Sequence, residues 1–421
     1  MDSEVIEVDD QPSEIPLIDE ETEKKYRIWK KNSPYLYEYL STNSLLWPSL
    51  TVQFFPDVTT QVTENKSSTD ILLSRLLHGT YTLGQSVVDS ISILQIPSFS
   101  SNLNQNLDIS KLNFNQDKEE FEINKTLPKP KVLQKINQIG DVNKLKYMPQ
   151  KPNVIASASS NGNLNIFERT RHKSFQKSII DDVDVNKAEI TIDGELEIFA
   201  LDWNQNKEGL LLSGDMEGNI HLYDLTTYDK KKKMESFKSW KENTNINDIE
   251  WFPTHDSIFG AALEDGSFVI RDIRDGKEGQ RISKQITTTT TDSPTSSINS
   301  ISINPNFATG IATGDSNGLI NLWDLRNLDS TIKEFKPHSS SITQLKFHPK
   351  FPQIIASSST DHSVKLHNIS RSKEEDPTFF QHLGHMLEVN DFDWSYADDW
   401  TLASVAADNS LHVWKPSKVD I

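Results

Sequence analysis

From about residue 140 to 415 the chain alternates apolar and polar positions in short runs, each opened by a small turn. Asn161-Gly162-Asn163-Leu164-Asn165-Ile166-Phe167 is one such run, and Glu217–Asp224, Asp265–Asp272, Asn317–Asp324, Asp361–Asn368 and Asp408–Lys415 repeat it. Alternation at period two predicts strands with one buried face, and Asp or Asn before the turn suits a tight hairpin. The turn residue falls at 162, 218, 266, 318, 362 and 409. Each copy has the same upstream half. In five of the six a strand ends on an aromatic (Tyr147, Trp203, Trp251, Phe347, Trp394), a Pro- or Asn-containing turn follows, and then comes a strand of small residues such as Ile155-Ala156-Ser157-Ala158-Ser159 or Leu402-Ala403-Ser404-Val405-Ala406.

Self-similarity at this period marks a repeat fold. The pattern resembles the WD-repeat propeller, in which each repeat forms a four-stranded blade and the small-residue strand lies near the crowded axis. The expected fold is therefore all-β: a seven-bladed WD-repeat β-propeller with an N-terminal α-helix packed on its side. Six copies cover roughly 140–415. The remaining blade must come from upstream, where Ile71–Leu77 and Val87–Ile96 are its evident strand pair. Trp47–Phe55 also alternates, and is expected to pair with the last blade and close the ring, removing an open edge. The organisation expected is an acidic disordered tail at 1–19, a helix at 20–46, and a propeller at 47–415. Within the propeller, 47–56 is the closing strand, 98–130 a polar insertion and 370–380 an acidic insertion loop; 416–421 is a tail.

Composition narrows the classes. The chain has 421 residues, no cysteine and a formal net charge of -18. Disulfides, thiolate metal sites and cysteine nucleophiles are excluded, and a reducing compartment, cytosol or nucleus, is expected. The acidic balance argues against direct binding of duplex DNA and suits a cationic protein partner. No stretch approaches the roughly 18 apolar residues of a membrane helix, so no membrane association is expected. Lys230–Lys233 reads as a solvated inter-blade loop, and Thr287–Thr291 as low complexity inside another. No phosphate loop, His-Glu-x-x-His or Gly-x-Ser-x-Gly is present. His382-Leu383-Gly384-His385 superficially resembles a metal pair. The repeat register instead places Gly384-His385 at the start of a blade, where the histidine joins a network with Asp and Ser; Asp391 is the expected partner. Asp248 and Asp391 are read as blade-turn residues. Neither a catalytic residue, a metal nor a cofactor is expected.

Ahead of the repeat, Glu20–Asn32 predicts a helix with acidic residues in its first turn. Ser33-Pro34 either starts a second helix or kinks a single one. Tyr26, Trp29, Leu36, Tyr39 and Leu40 form its apolar stripe, which leaves Tyr35 and Tyr37 exposed. Exposed aromatics beside an acidic loop make a groove for a basic amphipathic helix.

Trp29-Lys30-Lys31-Asn32, the Pro-Tyr-Leu-Tyr-Glu run at 34–38 and Trp47-Pro48-Ser49-Leu50-Thr51 closely resemble the nuclear histone-binding WD-repeat family. That family includes the small subunit of chromatin assembly factor 1, the accessory subunit of type B histone acetyltransferase and the retinoblastoma-binding WD proteins. Tyr147–Gln150, Pro253–Ser257, Asn321–Asn327 and Gly384-His385 extend the match, while Asn43-Ser44 and Phe54–Asp57 look most like the fungal-type chromatin assembly factor small subunit. The resemblance implies a nuclear protein, with the cytoplasm as a second compartment. It would bind histones H3–H4 and join the larger subunits of chromatin assembly factor 1 in replication-coupled nucleosome assembly. The first helix of H4 would lie between Tyr35, Leu36, Glu38 and Tyr39 on the helix and Glu374, Glu375 and Asp376 on the loop, over Thr378 and Phe379. Some relatives also hold the H3 tail on the acidic flat face, where Glu197 matches; Lys131, Leu133, Asn247 and Ser341 stand where acidic residues are expected, which counts against that site. The alternatives are an accessory subunit of a type B acetyltransferase or a deacetylase complex and, from another class, a WD-repeat adaptor of a ubiquitin ligase.

Overall fold

The computed structural model describes residues 18–61, 71–85, 88–99, 114–115, 120–121, 130–175, 178–179, 182–183, 185–228, 233–275, 281–285, 296–372 and 374–417. The expectations for the tail at 1–17, for most of 98–130, for Lys230–Lys232 and for Thr287–Thr291 lie outside these residues. The described chain forms seven four-stranded antiparallel sheets, the blades, and two small hairpins. Blade 1 uses strands Val52–Gln61, Ile71–Gly79, Val88–Phe99 and Lys131–Ile139. Blades 2 to 6 follow in chain order. Blade 7 takes Val389–Trp394, Leu402–Ala406 and Ser410–Pro416 from the end of the chain and its outer strand from the beginning.

That closing strand is Tyr37–Ser44, paired antiparallel with Ser410–Pro416 from Tyr37↔Pro416 to Ser44↔Ser410. Closure from the opposite terminus is as expected, but the strand expected to close the ring, 47–56, is a different segment. Pro48 lacks an N–H for an edge ladder. Trp47–Thr51 instead bends into the ring, where the Pro48 carbonyl accepts from Tyr81 N at 2.9 Å and the Ser49 carbonyl from Asn390 Nδ2 at 2.9 Å. Val52–Gln61 then becomes the inner strand of blade 1.

The helix, α1, spans Glu20–Leu36 and not 20–46. The Asp19 side chain caps its start, accepting from Thr22 N, and Glu20, Glu21 and Glu23 occupy the first turn. Pro34 lies inside the last turn, so α1 is one helix that ends just beyond it rather than two.

Blades are tied to each other through the inner strands. The Asp391 and Asp393 carboxylates accept from Val52 N (3.1 Å) and Phe54 N (2.8 Å) across the closure. Thr51 and Gln53 accept from Leu145 N and Tyr147 N, Asp202 from Trp251 N, Asp248 and Glu250 from Ile301 N and Ile303 N, and Ser300 and Ser302 from Leu345 N and Phe347 N. An inner strand's second edge has no further strand to pair with, and these side chains satisfy its N–H groups. Asp248 and Asp391 are thus channel-lining residues on inner strands, not blade-turn residues. Lys144 and Lys346 approach Asp391 at 3.6 and 3.5 Å within the same channel.

Candidate functional site

α1 is fixed to blade 7 by a buried relay. Trp29 Nε1 donates to the Tyr37 hydroxyl at 2.8 Å, and that hydroxyl lies 2.6 Å from His382 Nδ1. His382 Nε2 lies 3.0 Å from His412 Nδ1. The Trp29 ring stacks on His412 with centroids 6.0 Å apart, and a Cβ on Gly384 would fall 2.6 Å from the indole. The absence of a side chain at 384 is therefore what admits Trp29. Tyr37, expected to be exposed, is only 2% exposed. It follows the last helical residue, so the strand turns its ring inward instead of around the helix.

The histidines 382, 385 and 412 bring three ring nitrogens within 4.8 Å of one another. They do not suit a metal. His385 Nδ1 and Nε2 are held by Ser410 Oγ (2.6 Å) and Ser404 Oγ (2.7 Å), and His385 stacks on His412 at 4.2 Å with 17° between planes. Parallel stacked rings cannot aim lone pairs at one tetrahedral centre. His385 instead belongs to a network that continues through Ser404 to Trp414 Nε1 (3.2 Å). The nearby carboxylate is Asp408, 4.0 Å away, and not Asp391, whose bonds lie in the channel. Blade 6 repeats the network with His338 between Asp361 and Ser357, and His367 in place of tryptophan. Burial lowers the His382 and His412 imidazoles well below their usual range, with neighbouring histidines adding to it, and lowers His385 to about 3.

With its inner side so held, α1 presents Ile28 (53% exposed) and Tyr35 (54%) outward. Leu36 is half-buried against the cluster of Trp29, Tyr37 and Trp414, and Phe379 packs on that same cluster from the edge of blade 6. Glu38 is half-buried and pairs with Lys415 at 3.0 Å; Lys415 also meets Asp398 at 2.9 Å. Burial would lower the Lys415 ammonium, but Asp398 and Glu38 outweigh it and raise its pKa. Glu374, Glu375 and Asp376 are exposed on the loop that leads into Phe379. The Asp376 carboxylate also accepts from Thr378 N at 2.8 Å and so shapes that loop.

Two of the expected groove residues have other roles. Tyr39 is 5% exposed, and its hydroxyl donates to the Pro97 carbonyl of blade 1. Its ring joins Val52, Phe54 and Leu76, so it seals the closure between blades 7 and 1. Burial raises its phenol to about 12. Thr378 turns its hydroxyl to His367 Nδ1 at 3.0 Å. Ile28 was not among the expected residues. Its position seven residues before the exposed Tyr35, on the same face of the helix and about 100° round from Trp29, is the signal that would have found it.

Glu197 lies elsewhere, half-buried on the face that carries the hairpin turns. Burial, and then the Asp141 and Glu197 carboxylates, raise the Tyr81 phenol there. Asn247 donates to Glu264 Oε2 on the same face at 2.7 Å, whereas Lys131 and Leu133 lie on the outer strand of blade 1.

Comparison with known proteins bears on both the helix and the repeats. Residues 24–100 match the family model for the histone-binding protein RBBP4 or the C subunit of the CAF1 complex, and residues 284–324, 329–368 and 377–415 match the WD domain, G-beta repeat. The chain is 34% identical over 435 residues to the histone-binding protein MSI1 of Saccharomyces cerevisiae, covering 96% of each. It is 29% identical over 439 residues to the histone acetyltransferase type B subunit 2 of Debaryomyces hansenii, covering 99% of this chain and 95% of that one.

Proposed function

The chain belongs to the family of histone-binding WD-repeat proteins, and we propose that it is a histone-binding scaffold subunit of a chromatin assembly complex, without catalytic activity of its own. Its site is the groove between α1 and the loop through Glu374–Phe379, and its ligand there is the first helix of histone H4 within H3–H4. The observation that carries this reading is the two-sidedness of α1. One side is locked to blade 7 by the Trp29–Tyr37–His382–His412 relay, while Ile28 and Tyr35 remain exposed. An exposed apolar strip on α1, together with the exposed carboxylates of Glu374, Glu375 and Asp376 on the loop that leads into Phe379, suits an amphipathic helix with one basic face. Tyr35, Leu36, Glu38, Ile28 and Phe379 form the contact set, without Tyr39 and with Thr378 as a support. The protein acts in the nucleus, alongside the larger subunits of chromatin assembly factor 1. With a net charge of -18, it meets DNA only through its histone cargo.

The test is binding of a labelled H4 first-helix peptide, and of H3–H4, to the purified protein. Saturable binding is expected at moderate salt, with a loss of at least about tenfold in the Ile28→Asp, Tyr35→Asp double variant. No binding by the unaltered protein, or full binding by the variant, overturns the assignment. The similarity to an acetyltransferase type B subunit favours a second assembly, and affinity purification separates the two by recovering either a large assembly subunit or an acetyltransferase. A ubiquitin-ligase adaptor would not need the exposed strip on α1.

A further inference from the structure

The end of α1 is held by a residue from the far end of the described chain. Ser417 N donates to the Leu36 carbonyl at 2.8 Å, and Ser417 Oγ donates to the Tyr35 carbonyl at 2.9 Å. These are the last two carbonyls of the helix, which have no partner within it. They belong to the two residues that form the helix wall of the proposed groove. Ser417 follows directly on the strand Ser410–Pro416 that pairs with Tyr37–Ser44, so one short segment fixes both the helix end and the closing strand. The hydroxyl that does this is on an exposed residue, and the sequence runs Ser417-Lys418-Val419-Asp420. A carboxylate three residues after a serine is the pattern that acidophilic serine/threonine kinases read through a basic cleft.

We infer that Ser417 is a phosphorylation site and that its modification loosens the helix wall of the groove. This rests on the histone-binding reading above for its consequence, though not for its structural effect. In the transfer, Ser417 Oγ attacks the γ-phosphorus of MgATP bound to the kinase. The Oγ–P bond forms, the bond from that phosphorus to the β,γ-bridging oxygen breaks, ADP leaves, and the hydroxyl proton passes to the kinase's base. The product has no proton to donate to Tyr35 O at neutral pH. It also places nearly two negative charges against the carbonyl end of a helix dipole, which repels them. Lys415 offers little relief, since Glu38 and Asp398 already hold it. The junction at Tyr35–Tyr37 is then expected to open, carrying the groove wall with it.

The full-length protein is treated with a purified acidophilic serine/threonine kinase and MgATP, and phosphate is mapped by mass spectrometry. Amide hydrogen exchange over Glu20–Ser44 is compared for the unmodified, phosphorylated, Ser417→Glu and Ser417→Ala proteins. Phosphate at Ser417 is expected. Exchange at the end of α1 should quicken about tenfold in the phosphorylated and Ser417→Glu forms but only slightly in Ser417→Ala, which keeps the bond to Leu36. Affinity for the H4 peptide should fall about fivefold to tenfold in step. No phosphate at Ser417, or unchanged exchange with phosphate or Glu in place, overturns the inference. A protein that binds no H4 peptide overturns the proposed function instead, and exchange alone then judges the latch.

Discussion

At the scale of single residues, the repeat states its rules most sharply where it breaks them. The turn position is glycine in blades 2 to 5, with φ between 80° and 87°, but His362 and Asn409 take φ of 69° and 61° in blades 6 and 7. Side chains resist this region, asparagine less than most. At Gly318 the fit is also tight, since a Cβ would lie 2.4 Å from the His338 carbonyl oxygen. Gly318→Ala is expected to cost at least about 2 kcal/mol in denaturant unfolding, while His362→Gly gains about 0.5 kcal/mol as relief of strain offsets added chain entropy. Equal effects at the two positions would sink this account. In the channel, burial and then the carboxylates of Asp202 and Asp248 push the Glu250 pKa well up, and Asp202 rises to about 6. Glu250→Gln keeps an oxygen for Ile303 N and removes a repelled charge. It should stabilise the protein by about 1 kcal/mol at pH 8. The gain should shrink as the solution is acidified and the raised carboxyl protonates on its own. A thermal melt at pH 8 and at pH 5.5 decides it, and a variant destabilised equally at both refutes it.

At the scale of elements, six blades were legible because alternation, turn chemistry and small-residue strands recur together. The upstream junction was not. Tyr35–Leu40 carries apolar residues at spacings that fit a helix or a strand over so short a run, and nothing local says that α1 ends at Leu36. What decides is distant: Tyr37 finds His382, and Tyr39 finds Pro97. The same distance hid the partner of His385, since Asp408 lies across a hairpin that only the blade brings near. The relay that holds α1 also sets a pH dependence. Unfolded, His382, His385 and His412 take up protons below about 6.5. Folded, they stay neutral to much lower pH. Unfolding therefore binds protons, and stability is full above 6.5 and falls as the solution is acidified. The raised carboxyls of Asp202 and Glu250 act in the opposite sense. The contribution of the relay is isolated by His382→Gln, which should reduce the slope of unfolding free energy between pH 6 and 5 by about one proton, or about 1.4 kcal/mol per pH unit. An unchanged slope would mean that His382 is protonated in the fold.

At the scale of the whole molecule, closing the ring and building the groove are two uses of one short stretch. Residues 20–36 supply the proposed contact surface, and residues 37–44 complete blade 7. The boundary between them divides residues whose loss should have different consequences. Ile28 and Tyr35 stand on the outer side of α1, so Ile28→Asp and Tyr35→Asp are expected to weaken histone binding while leaving the melting temperature within about 2 °C of the parent. Tyr39 lies beyond the boundary, wedged between Val413 of blade 7 and Phe54 of blade 1. Tyr39→Asp buries an unpaired carboxylate in the closure and should cost about 3 kcal/mol or more. Its loss of binding would come with an earlier melt, and with aggregation as the Ser410–Pro416 edge becomes free to pair with other chains. Tyr39→Phe keeps the ring in the closure but removes the hydroxyl that bonds the Pro97 carbonyl, and should cost about 1 kcal/mol with histone affinity unchanged. Calorimetry and peptide binding on the same four variants therefore separate contact from closure. If Tyr39→Asp melts like the parent yet fails to bind, Tyr39 belongs to the groove after all, and the boundary drawn at Leu36 does not divide function from fold.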